Sequence, residues 1–251
     1  MGLKSLLAFM GAGMLGLVAA SLPALAQDET PAPADTYRPD IAEFAGADSI
    51  ELAPNSSLFL YGDGTIEFWA VPDWKDDPGY DPVVISNAGP DGASYLVSIL
   101  GDRTGVGVRS GESEGYAPFD FTDGLLHHIA VVSEEGLTKV YVDGALQGAF
   151  DMRFKPIGSE GVWIGSADGE TAPFVGAIAQ LRIWDSALTP EELVAYSQDN
   201  PFGGVDGEHP EIANLLAVSA FEDREVLIAS DLDAEEGASD KDSAAAAPDG
   251  N

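Results

Sequence analysis

Residues 124–144 read GLLHHIAVVSEEGLTKVYVDG, and this stretch decides the fold class. Two runs rich in β-branched residues, 129–133 and 137–142, flank a short EEG segment, and the dipeptide DG follows the second run. Glycine accepts the positive φ that a tight hairpin turn requires. The pattern therefore predicts a β-meander, in which consecutive antiparallel strands are joined by tight turns.

Strand patterns of similar length recur on both sides of this stretch. A helix is predicted at 189–198, because Thr189 can cap its first turn and Pro190 suits its first position. Many short strands followed by one helix predict an all-β protein, a two-sheet antiparallel sandwich. Apolar runs bounded by Gly, Pro, Asp or Asn predict the other strands at residues 41–44, 49–52, 65–72, 83–86, 94–100, 105–109, 162–165 and 176–184.

Four segments carry a family resemblance: TIEFWAVPD at 65–73, LLHHIAVV at 125–132, KVYVDG at 139–144 and GAIAQLRIWDSALTPEEL at 176–193. In this order they resemble motifs of laminin-G-like domains in the concanavalin A-like lectin/glucanase class, although Leu126 stands where that family usually has Trp. The resemblance covers roughly residues 50–196 and implies a jelly-roll sandwich. It does not determine the activity, because this fold carries lectins, adhesion modules and glycosidases.

The N-terminal part of the chain is predicted to precede the folded domain. Residues 1–26 are predicted to be a secretory signal peptide, with Lys4, an apolar stretch and the small-residue pattern Ala24-Leu25-Ala26. The alternative is a retained membrane anchor, since the apolar stretch approaches the length of a membrane span. Residues 27–40 are predicted to form a Pro-rich linker.

The laminin-G-like domain is predicted at residues 41–198, and the chain continues beyond it. Residues 199–230 are a C-terminal extension whose apolar runs either pair with the sandwich or form a separate hairpin. Residues 231–251 are rich in Asp, Glu, Ala and Ser, and this composition predicts a disordered tail.

The charge and the cysteine count narrow the setting. With 43 acidic and 11 basic residues, the formal net charge is −32. Such a surface repels nucleic-acid phosphates and anionic membranes and attracts cations. The absence of cysteine excludes a disulfide framework and a thiolate metal site. Together with the signal peptide, these features predict a secreted or periplasmic protein that binds no nucleic acid and does not insert into the membrane after cleavage.

Catalytic patterns are weak in this sequence. A jelly-roll glycosidase needs two carboxyl groups that flank one glycosidic bond. Glu67 has no alternating acidic partner, and Glu112 and Glu114 lie between two glycines, which predicts a loop. His127 and His128 are adjacent on a predicted strand, so they point to opposite faces and are interpreted as structural. We therefore expect no enzyme; a glycoside-active jelly roll is the alternative.

The family resemblance implies a calcium site. Many laminin-G-like domains bind one Ca²⁺ at a rim of the sandwich, between an early loop and a late loop. The matching loops here are NAGPDG at 87–92 and SADGET at 166–171. We predict that Asp91 and Asp168 bind Ca²⁺, with Asn87 and Glu170 as additional ligands, because calcium prefers carboxylate and amide oxygens.

Two aromatic residues in a polar loop are the candidates for ligand contact. Trp74 and Tyr80 lie in PDWKDDPGYDP at 72–82. Rings presented from a loop can stack on a sugar or anchor a protein partner. The alternative is that the loop folds back and covers an edge of the sandwich.

These features together predict a secreted or periplasmic, non-enzymatic binding module that recognises a carbohydrate or a protein partner, with dependence on Ca²⁺. Two alternatives belong to other classes: the glycoside-active enzyme already named, and a structural or assembly component of the cell envelope.

Overall fold

The computed structural model describes residues 40–52, 55–89, 91–157, 161–199, 212–221 and 225–228. The predicted signal peptide, nearly all of the linker and the acidic tail lie outside these residues. The described strands are β1 (Ile41–Ala45), β2 (Ile50–Leu52), β3 (Gly64–Pro72), β4 (Val83–Gly89), β5 (Gly92–Ile99), β6 (Gly105–Ser110), β7 (Ser113–Pro118), β8 (His127–Glu134), β9 (Leu137–Val142), β10 (Ala145–Phe150), β11 (Val162–Ile164), β12 (Val175–Trp184), β13 (Leu215–Ala220) and β14 (Glu225–Ile228), with one α-helix, α1 (Pro190–Asp199). No helix among the described residues is both long and apolar enough to cross a membrane.

The strands form two sheets that pack face to face. Sheet A has the order β10-β9-β8-β3-β12-β13-β14, and β1 pairs with the first half of β12. Sheet B has the order β2-β11-β4-β5-β6-β7. Neighbouring strands within both sheets are antiparallel. The predicted two-sheet antiparallel jelly-roll sandwich is confirmed.

The core lies between the inner faces of the two sheets. Alternate residues of each strand point inward, as the period of two requires. Ile66 and Phe68 of β3 are fully buried, and so are Tyr95 and Val97 of β5 and Ile129 of β8. These side chains belong to one continuous cluster of buried apolar residues. The opposite residues of the same strands form the two outer faces.

The meander that decides the fold class is β8, β9 and β10. Its first turn contains Glu135 and Gly136, with φ of 51° and 90°. Its second turn contains Asp143 and Gly144, with φ of 50° and 76°. Two consecutive residues with positive φ give the turn whose twist matches the flanking strands. The prediction of two tight hairpins is confirmed.

Helix α1 covers part of the outer face of sheet A. Thr189 caps it as predicted, because its Oγ1 accepts the Glu192 N–H at 3.3 Å and Glu192 accepts the Thr189 N–H at 2.7 Å. Leu188 and Leu193 are buried against the outer face of β8 and β12. The helix therefore docks onto the sheet through Leu193, and Leu188 packs into the same cluster just before the helix begins.

One expectation about local structure is wrong, and one open alternative is resolved. The segment predicted as a loop around Glu114 is instead strand β7, which pairs with β6 over its full length. The C-terminal extension joins the sandwich, because β13 pairs with β12 and β14 pairs with β13. The folded domain therefore extends beyond residue 198 to Ile228.

Candidate functional site

An open groove of about 300 Å³ lies on the outer face of sheet B. Its floor follows from strand register. Ser98 of β5 pairs with Gly107 of β6, and Gly107 pairs with Tyr116 of β7. In the next row, Arg109 of β6 pairs with Glu114 of β7. Residues two apart on a strand share a face, so these side chains face the same side of the sheet.

Gly107 keeps the floor of the groove open. A Cβ atom at this position would lie 2.6 Å from Ser98 Oγ and 3.5 Å from Tyr116 Cε1. The missing side chain leaves space between Ser98 and the Tyr116 ring. Tyr116 remains 50% exposed on edge strand β7, so a flat aromatic face is available beside a polar floor.

The polar side chains of the groove contact one another. The Arg109 guanidinium lies 3.8 Å from the Glu114 carboxylate, and both side chains are about half exposed. Burial, followed by the negative charge of Glu114, raises the pKa of Tyr116, and a hydrogen bond to Glu114 and the charge of Asp81 act in the same direction. Arg109, Glu114 and Tyr116 therefore form one polar chain along the groove.

The two predicted aromatic residues occupy different environments. Tyr80 is 39% exposed and lines the groove on the side opposite the strands that carry Tyr116. Trp74 is only 8% exposed, and its ring packs edge-on against Phe174 with centroids 5.7 Å apart. The Trp74 indole N–H donates to Gly101 O at 2.7 Å. For Trp74 the alternative holds: the ring covers the edge of the sandwich and fixes the loop that presents Tyr80.

We expect Trp74→Phe to lower the free energy of unfolding by about 1–3 kcal/mol, because the buried Gly101 carbonyl loses its donor. Urea denaturation monitored by circular dichroism measures the change. Trp69→Phe is a matched control, since the Trp69 Nε1 has no hydrogen-bond partner among the described residues. Equal losses in the two variants would contradict the anchoring role of the Trp74 hydrogen bond.

Asp168 organises the loop that forms one wall of the groove. Its Oδ1 accepts the Thr171 N–H at 2.7 Å and the Glu170 N–H at 3.0 Å. These backbone hydrogen bonds, the one from Thr171 first, lower the pKa of Asp168. Thr171 lines the groove, whereas Asp168 itself is exposed and holds a tight turn.

The predicted calcium ligands do not come together, and the predicted pairing of Asp91 with Asp168 is wrong. The Val83 N–H donates to Ala172 O at 2.9 Å, which places the 166–171 loop at the beginning of β4. Asp91 lies in the turn that follows the end of β4. A strand of this length separates the two carboxylates by about 20 Å.

The two additional predicted ligands also lie at opposite ends of β4. The buried Asn87 lies near the end of β4, and its amide donates to Gly161 O at 2.9 Å. Glu170 is exposed in the loop of Asp168 at the other end. Among the residues that the structure describes, no three His, Asp or Glu side chains converge where they could hold a metal ion. Dependence on Ca²⁺ stays a prediction without assigned ligands.

The two histidines have the structural environments expected of them. His127 lies between Asp143, at 2.7 Å from Nδ1, and Asp123, at 3.1 Å from Nε2. Burial lowers the pKa of His127, but the hydrogen bonds to Asp143 and Asp123 outweigh it and leave the pKa raised. The His128 Nε2 lies 3.0 Å from the Glu67 carboxylate within sheet A. The Glu67 carboxylate is therefore held in a buried polar network on the other sheet.

Sequence reasoning missed Arg109, Glu114 and Tyr116, although a signal was present. In VGVRS at 106–110, apolar residues alternate with Gly107 and Arg109, and in SEGYAP at 113–118, Glu114 and Tyr116 alternate with small residues. Each alternation indicates a strand with one polar face. Placing the two polar faces side by side required the register of β6 with β7.

Comparison with known proteins gives a family match and several relatives. The model of the concanavalin A-like lectin/glucanases superfamily matches residues 44–194. Neuronal pentraxin-1 of Homo sapiens is 31% identical over 120 residues, which cover 43% of this chain and 28% of that protein. The neuronal pentraxin receptor of Homo sapiens is 29% identical over 117 residues, covering 42% of this chain and 23% of that protein. The matched segment thus spans about a quarter of these curated relatives.

Two solved structures are similar in fold. A Bacteroides ovatus protein described as carbohydrate binding superposes with a TM-score of 0.56 and 20% identity, covering 72% of this chain and 51% of that chain. The CBM40 of the Ruminococcus gnavus IT-sialidase, bound to α2,3 sialyllactose, superposes with a TM-score of 0.52 and 17% identity. The superposition covers 62% of this chain and 96% of that chain. At these identities the likeness shows the fold alone.

Proposed function

The chain belongs to the concanavalin A-like lectin/glucanases superfamily, and from this premise we propose that it is a non-enzymatic carbohydrate-binding module whose ligand lies in the groove on sheet B. The observation that carries the proposal is the pair of half-exposed tyrosines, Tyr80 and Tyr116, on either side of a polar floor. Tyrosine rings offer a flat apolar face to a pyranose ring. Ser98, Arg109 and Glu114 offer donors and acceptors to its hydroxyl groups.

The fold relatives support the same proposal. One neighbour is described as a carbohydrate binding protein, and another holds sialyllactose. Because a signal peptide is predicted, we propose that the module lies outside the cytoplasm, as a secreted or periplasmic protein that binds glycans. Binding is favoured over hydrolysis because a neighbour of similar fold is described as a carbohydrate binding protein.

We expect Tyr116→Ala to weaken binding to an immobilised glycan by about 30-fold, since truncating an aromatic anchor costs about 2 kcal/mol or more. The measurement is a glycan array followed by calorimetry on the glycans that bind, and Tyr80→Ala is expected to act in the same direction. Tyr61→Ala is the matched control, because Tyr61 is 62% exposed and lies outside the groove, beside Arg153. Binding unchanged by both groove variants would place the ligand elsewhere, and release of reducing ends would favour the glycosidase.

A further inference from the structure

We propose that the groove selects neutral saccharides and rejects those that carry a carboxylate, sulfate or phosphate group. This inference rests on the proposed function and names the ligand class of the same groove. It concerns three charged residues, Asp81, Arg109 and Glu114, which are the charged side chains among the described residues that line the groove.

The groove carries a net negative charge. Two carboxylates and one guanidinium give a formal excess of one negative charge. Arg109 is the single cation in this set, and it already lies 3.8 Å from Glu114. An acidic sugar would have to bind Arg109 while its own charge faced Glu114, and like charges at that separation repel. The one cation among the described residues that line the groove therefore faces a carboxylate that disfavours a second anion beside it.

The carboxylates of the groove also favour hydroxyl groups as hydrogen-bond partners. Ionised carboxylates accept hydrogen bonds and donate none. Asp81 accepts the Gly101 N–H through Oδ1 at 3.0 Å, which fixes the direction of its carboxylate. Sugar hydroxyl groups can donate to Asp81 and Glu114, whereas a ligand carboxylate or sulfate can only accept. An acceptor-rich groove thus matches the hydroxyl groups of a neutral sugar.

Two further observations point in the same direction. Burial contributes most to the raised pKa of Tyr116, and the negative charges of Glu114 and Asp81 raise it further against the opposing charge of Arg109, so the nearby carboxylates outweigh the guanidinium at the ring hydroxyl. The whole chain carries a net charge of −32, which opposes the approach of anionic glycans at low salt. The α2,3 sialyllactose bound by the structural neighbour carries a carboxylate, and this groove is inferred to discriminate against that class.

The test uses an array of neutral oligosaccharides together with sialylated, uronate and sulfated counterparts of the same backbones. We expect the full chain to bind neutral members and to bind their acidic counterparts at least 10-fold more weakly. Glu114→Gln removes the negative charge and releases Arg109, so the acidic counterparts should gain at least 10-fold relative to the neutral ones. Glu112→Gln is the matched control, since it removes the same charge from an exposed turn outside the groove.

The outcomes separate the two proposals. Equal or tighter binding of the acidic counterparts by the unmodified chain would overturn the ligand class and leave carbohydrate binding intact. An unchanged preference for neutral over acidic glycans in Glu114→Gln would also overturn the ligand class. So would a change in Glu112→Gln equal to that in Glu114→Gln, because the discrimination would then not arise in the groove. Absence of binding to every glycan of both classes would overturn the proposed function itself.

Discussion

Glu67→Ala is expected to lower the free energy of unfolding by about 3–5 kcal/mol, because it removes one partner of a buried ion pair. Glu67 is fully buried in β3. Its carboxylate accepts from Trp184 Nε1 at 2.9 Å and Arg182 Nη1 at 3.3 Å, and His128 Nε2 lies 3.0 Å away. Alanine would leave the Arg182 charge and the Trp184 N–H in the interior without this acceptor.

The same network predicts a dependence of stability on acid. Burial raises the pKa of Glu67, but the hydrogen bond with His128 and the positive charges of His128 and Arg182 outweigh burial and lower it to about 2. A carboxyl whose folded pKa lies below its unfolded value stabilises the fold above about pH 4.3. This contribution is lost as the pH falls toward 2. Glu67→Gln is expected to lose the acid-dependent part, because the amide does not titrate.

Chemical denaturation between pH 7 and pH 2.5 measures both effects. Glu51→Ala is the control, since Glu51 is an exposed carboxylate on β2. A loss below about 1 kcal/mol in Glu67→Ala, similar to that of a surface substitution, would contradict a structural role for the network.

Features encoded by neighbouring residues were predictable from the sequence. The turns at 134–136 and 143–144 depend on Gly136 and Gly144 and on the residues directly before them, and both have the positive φ expected. The cap of α1 depends on Thr189 and Glu192, which are three residues apart. Such signals are local, so they can be interpreted without knowledge of the tertiary structure.

Features encoded by strand register were not predictable in this way. Glu67 is one example, because its partners Arg182 on β12 and His128 on β8 are distant in the sequence and only strand pairing brings them beside its carboxylate. The groove likewise combines β4, β5, β6, β7 and two loops, and no single segment displays it. The pairing of Asp91 with Asp168 was wrongly predicted for the same reason, since loop order along the chain does not tell at which end of β4 a loop lies.

The second large effect concerns the floor of the groove. Gly107→Val is expected to weaken glycan binding by at least 100-fold and to change the free energy of unfolding by no more than about 1 kcal/mol. Valine favours a strand interior, and the atom nearest to its Cβ is the Ser98 hydroxyl, which can rotate away. The added methyl groups would then occupy the space beside Tyr116 that the ligand ring requires.

Calorimetry with a glycan that binds the unmodified chain measures the loss of affinity, and thermal unfolding checks the fold. Glu51→Val is a matched control, because it adds the same side chain at an exposed position of strand β2 of sheet B, outside the groove. Retained affinity in Gly107→Val would mean that the ligand does not lie on this face of sheet B. Lost affinity with retained stability would show that the absence of a side chain at position 107 serves binding. A glycine in the middle of a paired strand otherwise only weakens that strand.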